Sequence, residues 1–273
     1  MEQETRRLKL TLAYNGARFQ GWQLQAPTLH GKPQRTIQGA LEDAVQTVCE
    51  THLRVHGSSR TDAGVHALGQ VCHLDIPAGK WRVDWQQALN GLLPREVQVL
   101  DAAWVDRAFH ARFDAISKRY AYRFWLSRRY VLPQRRPYVW TTDPLDPARM
   151  DAAARHFVGE HDFAAFTNAG SDIKGTVRTV TRLERAPVCC NHELEHVWHI
   201  EATGFLKQMV RNIMGCLREV GRGKLDPDAV PELLAGRERT KAPCCAPAQG
   251  LTLEEIFFRQ PLSSTDPAAT PNP

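Results

Sequence analysis

Hydrophobic spacing along this 273-residue chain switches between a period of two and a period near 3.6, and it does so in the same order twice. In the first half, residues 8–14 alternate as a strand. Ile37, Ala40, Leu41, Ala44, Val45 and Val48 then recur at helical spacing over 36–49. Alternating segments follow at 53–56 and 69–76, then a helix over 85–92 that must stop before Pro94, then a strand at 97–105. The second half reads as a strand at 119–126 and a helix at 147–157 with Pro147 in its first turn. Strands at 177–186 and 194–203, helices at 205–220 and 227–234, and a last strand at 251–257 complete it. Each half approximates βαββαβ. The expected fold is α+β, with two similar halves, 1–115 and 116–260, each an antiparallel sheet with helices on one face. The Pro-, Ala-, Ser- and Thr-rich stretch 261–273 reads as a disordered tail.

Between the segments at 53–56 and 69–76 lies a run too long for a tight hairpin, Gly57-Ser58-Ser59-Arg60-Thr61-Asp62-Ala63-Gly64-Val65-His66-Ala67. It contains a single acid, Asp62, two residues after an arginine, in a Gly- and Ser-rich bend. A lone carboxylate in such a bend is a presented side chain, and the chemistry is expected there.

Composition narrows the class. Hydrophobic content of 42% and charged content of 24% are those of a globular protein, and no apolar run is long enough to span a bilayer. The N-terminus lacks an apolar signal core, so a cytoplasmic location is expected. Seven cysteines, an odd number that includes the vicinal pairs Cys189-Cys190 and Cys244-Cys245, do not suggest a disulfide framework. The net charge of +5 permits a polyanionic partner without proving one. Its distribution says more: residues 115–142 hold Lys118, Arg119, Arg123, Arg128, Arg129, Arg135 and Arg136 and no acid. Tyr120, Tyr122, Phe124, Trp125, Tyr130, Tyr138 and Trp140 are interleaved with them. This mixture suits RNA, with cations on phosphates and rings on unpaired bases. It equally suits a strand with a core-facing aromatic side and a solvated basic side, and both readings stay open. In the helix at 205–220, Lys207, Arg211, Gly215 and Arg218 lie off the buried stripe. Gly215 hints at a close approach, but periodicity alone favours a plain exposed arginine at 211.

Taken in order, the motifs resemble the TruA-type tRNA pseudouridine synthases over nearly the whole chain. The resemblance is carried by Leu12-Ala13-Tyr14-Asn15-Gly16, Phe19-Gln20-Gly21-Trp22-Gln23, Arg35-Thr36-Ile37-Gln38-Gly39-Ala40-Leu41-Glu42 and Arg60-Thr61-Asp62-Ala63-Gly64-Val65-His66-Ala67. It continues with Ala88-Leu89-Asn90-Gly91-Leu92-Leu93-Pro94, Phe109-His110-Ala111-Arg112-Phe113-Asp114-Ala115 and Gly159-Glu160-His161-Asp162-Phe163. Met209-Val210-Arg211-Asn212-Ile213, Gly221-Arg222-Gly223-Lys224, Arg239-Thr240-Lys241-Ala242-Pro243 and Gly250-Leu251-Thr252-Leu253 complete it.

The resemblance implies a pseudouridine synthase fold with a central RNA-binding cleft, and uridines 38, 39 and 40 of the tRNA anticodon stem-loop as targets. It implies a homodimer that needs no cofactor or metal. Asp62 would be the catalytic aspartate, and Arg60 would contact RNA near the flipped nucleotide. Tyr120 would cover the target uracil, Leu251 would line the pocket, and Arg211 would pair with Asp62. Arg128, Arg129, Arg135 and Arg136 are further candidates for RNA contact. The isomerisation breaks N1–C1′, turns the uracil, rejoins it through C5 and removes the C5 proton. A carboxylate can serve as a nucleophile at C1′ or C6 or as a base at C2′, and a neighbouring guanidinium keeps it ionised. The target must leave its stack, and a covering side chain offsets that cost.

Some features fit less directly. Ser58-Ser59 stands where Ala-Gly is commoner in the family, and the segment 25–35 is longer than expected, either a loop that touches RNA or a solvated insertion. Cys189, Cys190, His192, His196 and His199 invite a zinc site, but His196 and His199 should face opposite sides of a strand and no C-x-x-C appears. His66 is expected to bond the loop backbone rather than act as a base. Retention of Asp62, Arg60, Tyr120 and Arg211 together argues against an RNA-binding relative that has lost catalysis; the same unit aimed at a different uridine stays within the enzyme class.

Overall fold

In the computed structural model, residues 4–25, 34–168, 175–187 and 192–259 are described. The segment at 26–33, Cys189, Cys190 and the tail at 261–273 lie outside them. The chain forms two compact units, one running to Ile116 and resuming at Glu255, the other Ser117–Glu254.

In the first unit, β1 (Thr5–Tyr14) precedes α1 (Ile37–Cys49), β2 (His56–Gly57), β3 (His66–Pro77), α2 (Trp85–Leu92) and β4 (Val97–Val105). β1 lies between β3 and β4, antiparallel to both, and β2 pairs with β3. Alternation puts Leu8, Leu10, Leu12 and Tyr14 on one face, where they are buried. Ile37, Leu41 and Val45 of α1 and Trp85 and Leu89 of α2 add their apolar stripes to the core, and α2 packs on α1 and β4. Thr36 caps α1 by accepting from the Gly39 amide at 3.2 Å, and Asp84 caps α2 through the Gln87 amide at 3.0 Å. Leu93, held extended by Pro94, ends α2.

The expected strand at 53–56 shrinks to His56–Gly57, for a local reason. Glu42, buried on α1, accepts from the Val55 amide at 3.0 Å, and the Gln38 side chain donates to the Val55 carbonyl at 3.1 Å. Both backbone groups of Val55 are therefore taken by α1 and not by a strand partner.

The second unit contains β5 (Ala115–Trp125, from Ser117 onward), β6 (Trp140–Thr141), α3 (Pro147–Arg155), β7 (Gly159–Asp162), β8 (Val177–Arg185), β9 (Glu195–Ala202), α4 (Met209–Gly221) and α5 (Val230–Gly236), followed by the first residues of β10 (Leu251–Phe258). Its sheet runs β5-β9-β8-β7, antiparallel throughout, with β6 a short parallel addition to β5. The short β6 and β7 escaped the pattern reading. α3 packs on α4 and β8, with Met150, Ala153 and Ala154 buried beside Ile213, Leu217 and Val220. Asp146 caps α3, and Pro147 occupies its first turn.

α4 begins at Met209, later than the expected 205, because Gln208 takes a left-handed φ of 60° and breaks the turn before it. Lys207 is therefore off the helix. His196 and His199 do point to opposite faces of β9: His196 stacks on Trp198 at 6.3 Å, and His199 Nδ1 meets Glu254 at 2.8 Å.

The second face of the first sheet carries polar groups. Arg7 binds Asp75 through two N–H···O contacts of 2.7 and 2.8 Å and donates to the Phe109 carbonyl at 2.8 Å. His73, buried beside them, is pushed down to about 3, first by burial and then by the charges of Arg7, His110 and His56. The folded chain thus keeps a neutral ring where the unfolded chain takes up a proton near 6.5. Stability is fully present above the unfolded value and falls as pH drops from 6.5 toward 3. His110, also lowered chiefly by burial, contributes with the same sign. Thermal midpoints measured from pH 7 to pH 4 will fall. They will fall less steeply in His73→Asn, whose side-chain oxygen can still accept a hydrogen bond.

Candidate active site

The loop carrying Asp62 is fastened to the segment that follows β1. The Trp22 amide donates to the Thr61 carbonyl at 3.0 Å, the Gly64 amide to the Phe19 carbonyl at 3.2 Å, and the Gly16 amide to His66 Nδ1 at 3.2 Å. His66 is therefore an acceptor from backbone, as expected of a structural histidine. Asp62 itself opens a turn closed by the Val65 amide at 3.1 Å, with Gly64 at φ +79° where a type II turn requires a positive value.

Two side chains hold the other limb. Gln70, fully buried on β3, accepts from the Ser59 amide at 3.2 Å and donates to the Ser59 carbonyl at 2.7 Å. The Tyr14 and Thr61 hydroxyls meet at 2.8 Å. Gln70 had no role in the motif reading; its signal is a polar residue at a buried position of an apolar strand. Asp62 is half-buried and Arg60 exposed on this loop.

Glycine is required where these segments touch. A Cβ on Gly16 would sit 1.9 Å from the Val65 carbonyl oxygen, and one on Gly21 2.6 Å from that of Thr61, with Gly21 also at φ +89°.

Tyr120, Arg211 and Leu251 belong to the second unit, on or next to segments that meet Tyr122. Tyr120 is two residues away on β5, hence on the same face, with its ring edge-on to Phe205 at 5.1 Å. Arg211, on α4, donates from Nε to the Ala246 carbonyl at 2.8 Å, while its own carbonyl accepts from the Ala246 amide at 3.0 Å. The close approach hinted at by Gly215 is real, since a Cβ there would lie 2.0 Å from the Cys244 carbonyl oxygen. Residues 244–246 thus lie directly on α4, and Arg211 is anchored, not a plain surface arginine. Leu251 is buried and follows Gly250, whose hydrogen-only side chain lets the backbone rest on the Tyr122 ring. The Tyr122 hydroxyl donates to the Pro247 carbonyl at 2.8 Å; burial holds its pKa well above the ordinary tyrosine range, with the Arg211 charge pulling the other way.

The same backbone segment is tied down by Arg239, to which the sequence reading assigned no role. It donates to the Ala242 and Pro243 carbonyls at 3.0 Å each, to Asn168 at 3.0 Å and to Asn212 at 2.9 Å.

The basic segment divides. Tyr122, Phe124 and Trp125 are buried and pack on Trp140, Trp198 and Tyr130, so the core-facing reading holds for these rings. Arg135 is bound by the buried Glu195 through a two-pronged pair, one contact at 2.7 Å, and Arg128 meets Asp143 at 2.8 Å. Arg129 and Arg136 are exposed.

A profile of the tRNA pseudouridine synthases matches residues 12–114 and 153–259, leaving Tyr120 and the basic segment between the matched stretches. The tRNA pseudouridine synthase A of Oleidesulfovibrio alaskensis is 52% identical over 267 residues, covering 92% of this chain and 96% of that protein. The proteins of that name from Nitratidesulfovibrio vulgaris strain Hildenborough and from Chlamydia trachomatis are 46% and 37% identical, over 92% and 94% of this chain and 96% and 94% of their own. The chain belongs to the tRNA pseudouridine synthase family, enzymes that isomerise uridine to pseudouridine.

The Gly21 contact yields a direct test. Gly21→Ala adds both a positive-φ penalty and a clash with the Thr61 carbonyl, so it should lower stability by roughly 1–3 kcal/mol. It should also lower activity by more than the unfolded fraction explains, which urea unfolding and steady-state kinetics on one preparation will show.

Proposed function

We propose that the chain isomerises uridines of the tRNA anticodon stem-loop, at positions 38, 39 and 40, and that Asp62 is its catalytic carboxylate. The observation that carries this reading is the Asp62 loop: an acid in a turn whose backbone is held by Gln70, Trp22 and Phe19 and whose Thr61 hydroxyl is held by Tyr14. Such fastening fixes where the carboxylate stands, and in this reading it acts on the ribose or the uracil of a nucleotide drawn out of its stack.

In this reading Arg211 is the residue that pairs with Asp62. Its Nε bond to Ala246 orients the guanidinium, and a second bond from the same plane can meet a carboxylate edge-on. Tyr120 covers the uracil, Leu251 closes the apolar side of the pocket, and Arg60 takes a phosphate beside the flipped nucleotide. The active protein is a homodimer working in the cytoplasm, without a metal or organic cofactor.

Asp62→Asn preserves shape and removes the charge. It should leave tRNA affinity within a few-fold and the thermal midpoint nearly unchanged, and reduce tritium release from tRNA labelled at C5 of uridine by about a thousandfold or more. Release at the wild-type rate would remove Asp62 from the chemistry.

Within the basic segment we assign Arg129 and Arg136 to phosphates. Replacing either by Ala should make the slope of log affinity against log salt shallower by about 0.7–0.9. Arg135→Ala should instead lower stability by roughly 1–3 kcal/mol, because it removes the main partner of a buried carboxylate.

A further inference from the structure

The motif Phe109-His110-Ala111-Arg112-Phe113 has no part in the chemistry above, yet the first unit holds it in a defined shape. Phe109 and Ala111 are buried, with Phe109 edge-on to Phe258 at 5.3 Å. Between them the His110 ring meets His73 edge-to-face at 4.7 Å. His110 Nδ1 then accepts from the amides of Arg112 and Phe113 at 3.1 and 3.3 Å. The Asp114 carboxylate accepts from the His110 amide at 2.7 Å, and His73 Nδ1 accepts from the Ala111 amide at 3.2 Å. This turn holds outward the ring of Phe113, 72% exposed. His110 supports it at a centroid distance of 4.2 Å, and the Arg112 guanidinium lies 5.7 Å from its centre.

A single exposed apolar side chain needs no explanation. Here, however, several hydrogen bonds define the turn that exposes the ring, and the fold gains no burial from it. The neighbours are a histidine and an arginine, and the Asp114 carboxylate that follows is bonded to the His110 amide. A flat ring with a cation at its side matches an unpaired base and its phosphate. The position also suits a substrate strand: His110 is 6.0 Å from His56, the first residue of β2, which leads directly into the Asp62 loop.

We propose that Phe113 stacks on an unpaired base of the substrate RNA and that Arg112 contacts a neighbouring phosphate. The proposal rests on the RNA-isomerase reading above. Phe113 acts by binding and takes no part in bond making.

The test uses the full-length protein and an unmodified tRNA transcript labelled with tritium at C5 of uridine, so that one substrate reports both affinity and turnover. Phe113→Ala and Phe113→Leu should each raise Kd roughly 5- to 100-fold, and Phe113→Trp should stay within about threefold of wild type. The salt slope should be unchanged in all three Phe113 variants and shallower by about 0.7–0.9 in Arg112→Ala. Thermal midpoints should match wild type, since the ring is not part of the core. Wild-type affinity in Phe113→Ala, or full recovery in Phe113→Leu, would overturn stacking. So would a smaller sedimenting species in Phe113→Ala, which would assign the ring to a contact between copies. If wild type turns the transcript over and Phe113→Ala is indifferent, only this proposal fails; if wild type neither binds nor turns it over, the RNA reading fails with it.

Discussion

The backbone of residues 57–66 runs mostly outside any strand ladder, so its N–H and C=O groups must find partners elsewhere or remain in water. Among their partners are the segment after β1, the side chain of Gln70, the Val71 carbonyl of β3 and a turn within the loop itself. The two loops, at 16–22 and 57–66, are far apart in sequence and behave as one object in space. Each supplies glycines where the other passes, which is why Gly16 and Gly21 matter as much to the position of Asp62 as residues inside its own motif.

Charge burial follows a similar logic. Glu42 and Glu195 are both buried and hydrogen bonded, Glu42 by Gln38 and the Val55 amide and Glu195 by Arg135 from a distant segment. A buried carboxylate is weak evidence of net stability, since desolvation opposes the attraction. What these two do is specify: Glu42 fixes where the chain leaves α1 for β2, and Glu195 fixes Arg135 against the start of β9. The consequence for function is that positive charge along 115–142 is not equivalent residue by residue. Arg123 and Arg135 are committed to Glu254 and Glu195 inside the second unit, whereas Arg129 and Arg136 face outward.

Long periodic elements were legible from spacing. α2 and β4 lie where alternation and Pro94 put them, and α1 is displaced by one residue because Thr36 is its cap and not its first turn. The failures have local causes. The segment at 53–56 has a strand's alternation, but α1 side chains take the backbone groups that a ladder needs. The start of α4 carries helical spacing from 205, but Gln208 adopts a left-handed conformation, which no pattern of apolar residues announces. Motif order singled out Asp62 and Arg211, whereas Gln70, which holds the Asp62 loop, and Arg239, which holds the segment over α4, make contacts that span long sequence separations and leave little trace in the pattern.

Arg211 shows where periodicity stops being informative. On the helix it occupies a position off the apolar stripe, which in isolation describes a solvated arginine. What changes its meaning is the segment at 244–246, laid onto α4 through the gap left by Gly215 and hydrogen bonded to Arg211 by both backbone and side chain. That segment is itself held by Arg239, and Asn212, next to Arg211 on α4, is bonded to Arg239 in turn. The guanidinium is therefore restrained from its helix and from the strap above it. A long flexible side chain loses rotamer freedom when it pairs with a carboxylate, and a chain that has already restrained it lowers that cost. The glycine one turn below the arginine is the sequence feature that makes the restraint possible.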